Sequence, residues 1–200
     1  MAARIGILGG TFDPPHLAHL ILGEAAVEVL NLSTLLWVPA ADPPHKQNHE
    51  KTAVMHRLAM LELALRDNEH FAISRVDLDR PGPHYSVDMV EIIQRQYPGA
   101  ELFFVIGGDS LHDLLSWYRP DLLIEQCTLA VMRRPDAQVE PEMHEAELPG
   151  LARHTIMIDA PLIDISSTEV KQRLQQGHSV RYLVPDAVLA YIGENDLYST

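Results

Sequence analysis

The chain has 200 residues, of which 46% are hydrophobic and 22% charged, and its formal net charge is −13 at pH 7. This composition is that of a globular protein, so a wholly disordered chain is excluded, and the acidic charge argues against binding to nucleic acid or to an anionic membrane. A single cysteine, Cys127, excludes an internal disulfide and a zinc cluster built on cysteines.

Apolar runs with strand character alternate with helical patterns along the whole chain. In chain order, the predicted elements are a strand at 5–8, a helix at 17–30, a strand at 35–38, a helix at 52–66, a strand at 71–76, a helix at 86–96, strands at 101–106, 129–132 and 155–158, and helices at 167–176 and 185–192. The alternation indicates one α/β domain over 1–200, with a mainly parallel sheet covered by helices on both faces.

Three segments carry more detailed expectations. Ser86 is in the position to cap the helix that follows it. Residues 134–150, rich in Pro and Glu, are expected to form an irregular excursion. The predicted helix at 52–66 is amphipathic, and its stripe of residues near helical spacing consists of Met55, Leu58, Ala59, Glu62 and Leu63.

The ends of two predicted strands are the first places to look for chemistry. Ligands of parallel sheets bind at the carboxyl ends of the strands, near the point where the winding reverses. The strand at 5–8 ends at Gly9-Gly10, and the strand at 101–106 ends at Gly107-Gly108. We therefore expect the functional site beside these two glycine pairs.

Residues 9–19, GGTFDPPHLAH, join the first strand to the first helix. Glycines let the backbone approach a ligand closely, and His16 and His19 have the spacing to share one face of the first helical turn. Imidazoles at a helix N-terminus can donate hydrogen bonds to phosphate oxygens, and protonated imidazoles also offset negative charge. The alternatives are two incidental histidines in a chain that has eleven, or a zinc pair, which lacks a third ligand here.

Residues 165–173, ISSTEVKQR, are the second candidate segment. Ser166 and Glu169 have the spacing of a capping box, so a helix is expected to begin here with hydroxyl and N–H groups at its positive end. Lys171 and Arg173 can reach phosphates, although residues two apart on a helix point in different directions. The alternative is an ordinary capped helix with two solvated basic residues.

The two segments together resemble the nucleotidyltransferase signatures Gly-Gly-x-Phe-x-Pro-x-His-x-x-His and Ile-Ser-x-Thr-x-x-Arg/Lys. The resemblance implies a Rossmann-like, doubly wound fold, and Ala18 and Lys171 stand where many members have Gly and Arg. His16, His19 and Lys171 are the expected catalytic residues. The residues that the resemblance places on ATP are Gly9, Gly10, Thr11, Phe12, His16, His19, Gly107, Asp109, Ile165, Ser166, Ser167, Thr168, Lys171 and Arg173.

Further features indicate where an acceptor binds. Ser86 and neighbouring N–H groups can bind a carboxylate, and Trp117 can stack on a base, although each also fits a plain structural role. In their order and spacing these features resemble the bacterial nicotinate-mononucleotide adenylyltransferases over nearly the whole chain. The expected acceptor-binding residues are Lys46, Tyr85, Ser86, Trp117, Tyr118 and Arg134.

The resemblance implies transfer of AMP from ATP to nicotinate mononucleotide, which gives deamido-NAD and pyrophosphate and serves NAD biosynthesis. Mg²⁺ is the expected cofactor, bound mainly through ATP phosphates and not in a metal site of the protein. The alternatives are nicotinamide mononucleotide or phosphopantetheine as acceptor, a cytidylyl transfer, an aminoacyl-tRNA synthetase fragment, and a nucleotide-binding regulator without turnover.

The expected location is the cytoplasm. No apolar run approaches the roughly 20 residues of a membrane helix, and the first ten residues do not have the pattern of a signal peptide. We expect ATP and nicotinate mononucleotide as partners, with neither nucleic acid nor a membrane among them. A homo-oligomer is compatible with the sequence.

Overall fold

The computed structural model describes residues 2–41, 52–133, 139–161 and 163–199. Within these ranges, six strands form one parallel sheet with the spatial order β3-β2-β1-β4-β5-β6. The strands are β1 (Arg4–Gly10), β2 (Thr34–Pro39), β3 (Phe71–Ile73), β4 (Glu101–Gly107), β5 (Thr128–Met132) and β6 (Thr155–Ile158).

Helices connect these strands. The α-helices are α1 (Leu17–Leu30), α2 (Val54–Leu65), α3 (Ser86–Gln96), α4 (Gly108–His112), α5 (Pro120–Gln126), α6 (Ser167–Gln175) and α7 (Asp186–Glu194). Short 3-10 helices lie at Leu114–Ser116, Pro141–His144 and Ala152–His154. In the described part of the chain, no helix has both the length and the apolar character that crossing a bilayer requires.

Both faces of the sheet are buried, as the side chains of β4 show. Its side chains alternate between the faces, as the period of a strand requires. Phe104 and Ile106 pack with Val90 and Ile93 of α3 on one face. Phe103 on the other face belongs to the core that α1 and α2 complete. The predicted Rossmann-like, doubly wound α/β fold with helices on both faces is therefore confirmed.

The winding of the sheet reverses between β1 and β4. The two strands are direct neighbours, with Leu8 opposite Val105. Successive connections lead outward from β1 through β2 to β3, and then from β4 through β5 to β6. The glycine pairs at the ends of β1 and β4 consequently lie at the switch point, where the sequence indicated a ligand site.

Helix α2 buries a different face from the predicted one. Met55, the first residue of the predicted stripe, is 70% exposed, whereas Arg57 is 1% exposed. The buried residues of α2 are Arg57, Met60, Leu61 and Leu65. The predicted stripe missed this face because an arginine occupies one of its buried positions.

Other differences are local. Helix α3 begins at Ser86, so the N-cap position belongs to Tyr85 and not to Ser86. Strand β3 ends at Ile73 because it is paired only with β2, over Leu35–Trp37, before the chain turns away. Helices α4 and α5 were not predicted, since five and seven residues are too few to show a helical period.

Gly23 tests the packing of α1 on the sheet. A Cβ at this position would lie 2.7 Å from Cζ2 of Trp37 and 3.0 Å from Cζ of Phe71. We expect Gly23→Ala to lower the free energy of unfolding by about 1–3 kcal/mol through overpacking, measured by urea denaturation. The matched control is Gly193→Ala in α7, where no described atom lies within 4 Å of the added Cβ and helix propensity adds up to about 1 kcal/mol. Equal stabilisation by both substitutions would contradict this packing.

Candidate active site

The first candidate segment places two histidines at the start of α1. His16 occupies the N-cap position with an extended backbone, and His19 lies three residues on. The backbone N–H of His16 donates to Nδ1 of His19 at 3.2 Å, and the two rings stack with centroids 3.6 Å apart. The prediction that both imidazoles share the first turn of one helix is confirmed.

The hydrogen bond to His19 has a consequence for its tautomer. Because Nδ1 of His19 accepts a hydrogen bond from a backbone N–H, a neutral His19 carries its proton on Nε2. Nε2 is then a hydrogen-bond donor, which suits a phosphate oxygen. The edge of Phe12, which is 1% exposed, packs against the ring with centroids 5.2 Å apart, and this contact limits the ring's rotation.

His16 differs from His19 in its burial. It is 4% exposed, and burial lowers the pKa of its imidazole from 6.5 to about 4. His16 is therefore neutral at pH 7 in this structure. The charge that a protonated imidazole would add does not come from His16 at this pH, but its neutral ring can still form hydrogen bonds.

The second candidate segment meets the first in space. Ser167 Oγ donates to the carbonyl oxygen of Pro14 at 2.9 Å, and Lys171 Nζ donates to a carboxylate oxygen of Asp13. Ser166 caps α6 by accepting from the N–H of Glu169 at 3.1 Å. Residues 9–19 and 165–173, some 150 positions apart, thus form one site with two helix starts, as predicted.

The two predicted cations of the second segment have different surroundings. Lys171 lies inside the site on Asp13. Arg173 donates through Nε and Nη2 to the carbonyl oxygen of Ser179, at 3.1 and 3.0 Å. A phosphate contact by Arg173 would require it to leave that carbonyl. Thr168 is exposed at the start of α6, and Ile165 packs with Val170 in the core under this helix.

A cavity of about 380 Å³ opens at the ends of β1 and β4. It joins the two glycine-rich strand ends to the start of α3, and it brings together the predicted residues Gly9, Gly10, Thr11, Tyr85, Ser86, Gly107, Trp117 and Tyr118. The lining also contains side chains that the sequence did not single out: Leu22, Asp77, His84, Met89, Phe104 and Ser110.

Aromatic rings form one wall of the cavity. Tyr85 and Tyr118 stack with centroids 4.2 Å apart and an interplanar angle of 23°. Trp117 is half-buried and meets Phe104 edge-on with centroids 6.0 Å apart. The indole therefore combines a core contact with a face on the cavity. Asp109, exposed in the first turn of α4, follows the glycine pair of β4.

Two predicted acceptor residues, Lys46 and Arg134, lie outside the described residues. Most of the polar stretch 40–51 and the first part of the expected excursion at 134–150 lie there as well. The described remainder of the excursion contains the 3-10 helix at Pro141–His144.

Sequence reasoning missed three polar residues beneath the site. Asp13, 4% exposed, accepts from Lys171, from Tyr198 Oη at 2.6 Å and from the N–H of Thr52 at 3.3 Å. Asp13 was visible inside the first motif, but nothing in the sequence indicated its partners. Tyr198 gave no signal, because a single tyrosine in a short polar tail has no period.

Arg57 is the third missed residue. Its guanidinium donates to the carbonyl oxygens of Thr11 at 2.8 Å, Ala40 at 2.9 Å and Thr52 at 3.1 Å. It therefore ties the loop after β1 to the loop after β2 and to the start of α2. An arginine four residues before Leu61 on the buried face of α2 was the only sequence signal.

The parallel sheet, the glycine-rich end of β1 and the paired histidines at a helix start define a nucleotidyltransferase site. The sequence pattern of the cytidylyltransferase-like family matches residues 7–173 of this chain. That match covers the first segment, the sheet and the second segment.

Two relatives show to which family of nucleotidyltransferases the chain belongs. The probable nicotinate-nucleotide adenylyltransferase of Thermomicrobium roseum is 46% identical over 99% of this chain and 92% of its own length. The protein of the same name from Herpetosiphon aurantiacus is 40% identical over 98% of each chain. The chain belongs to the nicotinate-nucleotide adenylyltransferase family.

A solved structure shares the fold. Plasmodium falciparum nicotinic acid mononucleotide adenylyltransferase complexed with APC superimposes with a TM-score of 0.77, covering 98% of this chain and 97% of the other. The two sequences are 18% identical, so this likeness concerns the fold alone.

The buried His16 predicts a pH dependence of stability. Its pKa is about 4 in the folded chain and 6.5 ordinarily, so between these values the unfolded chain binds a proton that the folded chain does not. The stabilisation by neutral His16 is complete above pH 6.5 and is lost as the pH falls towards 4. Between these two pH values, the free energy of unfolding of wild type should fall by up to about 3 kcal/mol more than that of His16→Asn.

Urea denaturation at a series of pH values measures this effect as a difference in slope between wild type and variant. The control is His70→Asn, which removes a histidine whose ring is exposed and not buried. If the free energy of unfolding changed with pH in the same way for wild type and His16→Asn, His16 would not contribute to the pH dependence.

Proposed function

We propose that this chain, acting as a single domain, transfers AMP from ATP to nicotinate mononucleotide and releases deamido-NAD and pyrophosphate. The proposal rests on the contact between the two segments. Ser167 donates to the Pro14 carbonyl and Lys171 to the Asp13 carboxylate. The stacked rings of His16 and His19 belong to the same loop and helix start. Two helix N-termini, two imidazoles and one ammonium group are thereby brought together, and such a set of groups suits a triphosphate. The family membership supports the same reaction.

In the proposed reaction, a phosphate oxygen of nicotinate mononucleotide attacks the α-phosphorus of ATP in line. The new P–O bond forms as the bond between the α-phosphorus and the bridging oxygen of pyrophosphate breaks. The attacking oxygen is already ionised, so no protein nucleophile or general base is required. The protein contributes by orienting two polyanions and by stabilising the charge that moves onto pyrophosphate.

His19 and Lys171 have the main electrostatic roles in this proposal. Nε2 of His19 donates to an oxygen of the α- or β-phosphate. Lys171 moves from Asp13 towards the phosphates, whose greater negative charge competes with a single carboxylate. His16 donates or accepts as a neutral ring. The other residues proposed to surround ATP are Gly9, Gly10, Thr11, Phe12, Gly107, Asp109, Ile165, Ser166, Ser167, Thr168 and Arg173.

The acceptor is proposed to occupy the cavity between β4 and α3. Tyr85 and Ser86 lie where the first N–H groups of α3 are free of partners within the helix, and such groups bind a carboxylate. The pyridine ring then lies beside Trp117 and Tyr118. Lys46 and Arg134 are retained as proposed contacts to the acceptor.

Mg²⁺ is proposed to enter with ATP, on phosphate oxygens and water. Among the described residues, no group of three or more His, Cys, Asp and Glu side chains is arranged to hold a metal ion. Asp13, the carboxylate beside the histidines, is engaged by Lys171 and Tyr198. When bound, the ion neutralises phosphate charge, while the side chains of this protein hold and orient the phosphates.

The reaction is tested by pyrophosphate release from ATP with a panel of acceptors. We expect turnover with nicotinate mononucleotide, and lower turnover with nicotinamide mononucleotide and phosphopantetheine. His19→Ala should reduce turnover by about 10²–10³-fold without unfolding the protein, because one preorganised donor is lost. A protein that binds ATP but releases pyrophosphate with no acceptor would be a regulator, and the proposed reaction would be rejected.

Trp117→Ala tests the acceptor pocket. Removing a stacking ring weakens binding of a base by about 1–3 kcal/mol, so we expect the Kd of nicotinate mononucleotide to rise at least about fivefold, with the Kd of ATP within about twofold of wild type. Titration calorimetry measures both. The control is Leu115→Ala, an exposed residue of the same turn that does not line the cavity. Equal losses for the two ligands would contradict the assignment.

A further inference from the structure

The chain ends its described part in a strained backbone that reaches the active site. After α7, Asp196 and Tyr198 have φ values of 49° and 63°, in the left-handed region that costs free energy for residues other than glycine. The N–H of Leu197 donates to the carbonyl oxygen of Ile192 at 3.0 Å, which turns the tail back on the helix. Favourable contacts of the tail must compensate for this strain.

Tyr198 makes those contacts. Its ring packs against the core formed by α2, α6 and α7, and its hydroxyl donates to Oδ1 of Asp13 at 2.6 Å. Burial raises the pKa of this phenol far above its ordinary value, so the hydroxyl stays protonated at neutral pH and remains a donor.

Asp13 connects Tyr198 to Lys171. Lys171 donates to Oδ2 of Asp13, and its Nζ also lies 5.3 Å from the centre of the Tyr198 ring. Three side chains that are distant in sequence therefore fix one another. Without the phenol hydroxyl, Oδ1 of Asp13 would lose this donor, and the carboxylate could rotate or draw Lys171 deeper.

We propose that Tyr198 is a positioning residue for adenylyl transfer: its hydroxyl holds the Asp13 carboxylate, and through that carboxylate it sets where the Lys171 ammonium meets the ATP phosphates. This inference rests on the proposed function for the role of Lys171. It adds the C-terminal tail to the site, although the tail lies about 180 residues from the histidines in sequence.

Tyr198→Phe removes only the hydroxyl and tests the proposal. We expect the KM for ATP to rise about tenfold, the value for one lost hydrogen bond to a charged group. The KM for nicotinate mononucleotide should stay within about twofold of wild type, because Lys171 acts on ATP and not on the acceptor. A hydroxyl that only stabilised the fold would change both values alike or neither.

Tyr191→Phe is the matched control. The Tyr191 hydroxyl shares a hydrogen bond of 2.9 Å with Nδ1 of His56, and the ring packs against the same core as Tyr198. Its loss removes a comparable bond in the same region without touching Asp13. The KM for ATP should therefore remain unchanged in Tyr191→Phe, and equal increases in the two variants would overturn the proposal.

A double-mutant cycle with Lys171→Met gives the second readout. If Tyr198 acts by placing Lys171, then Tyr198→Phe should change the KM for ATP by less than about twofold once Lys171 is gone. A full tenfold effect in that background would reject this route.

Calorimetric titration with a non-hydrolysable ATP analogue repeats the comparison without turnover. If wild-type protein is inactive, the proposed reaction is rejected. The affinity of the analogue for wild type and the two tyrosine variants still decides the role of Tyr198. Wild-type protein that does not bind the analogue would overturn both.

Discussion

The site depends on a buried carboxylate, Asp13, whose negative charge is stabilised by hydrogen bonds from three directions. Burial alone would raise the pKa of Asp13, but hydrogen bonds from Lys171, Tyr198 and Thr52 outweigh it and the pKa is lowered. The charged form is therefore retained inside the protein. An isolated buried charge would cost several kcal/mol or more, so each of these partners must stay in place for the loop after β1 to keep its shape.

The parallel sheet supplies the second constraint. Because the winding reverses between β1 and β4, the ends of both strands are free of a crossover, and a cavity forms above them. A Cβ added at Gly9 or Gly107 would meet no described atom within 4 Å, so the backbone presents open space to a ligand. The start of α3 lines this cavity through Tyr85 and Ser86.

The long elements could be predicted from the sequence, because their periods extend over many residues. Helix α1 begins and ends where the pattern indicated, and the meeting of residues 9–19 with 165–173 followed from the family signatures. The buried face of α2 could not be predicted, since the burial of Arg57 depends on three carbonyl oxygens that folding brings together. The contact of Tyr198 with Asp13 likewise has no local signal, because it closes over 185 residues.

The two histidines belong to the same motif, but they differ in burial and in hydrogen bonding. His16 is buried and neutral, whereas His19 accepts a hydrogen bond at Nδ1 from the backbone N–H of His16, which places the proton of a neutral His19 on Nε2. Their stacking at 3.6 Å also disfavours two positive charges on adjacent rings. The pair is therefore best described as one neutral ring that fixes the geometry of a second, donating ring. In the proposed reaction, Lys171 and the helix N-terminus supply positive charge to the phosphates, and the contact with Asp13 holds Lys171 beside them.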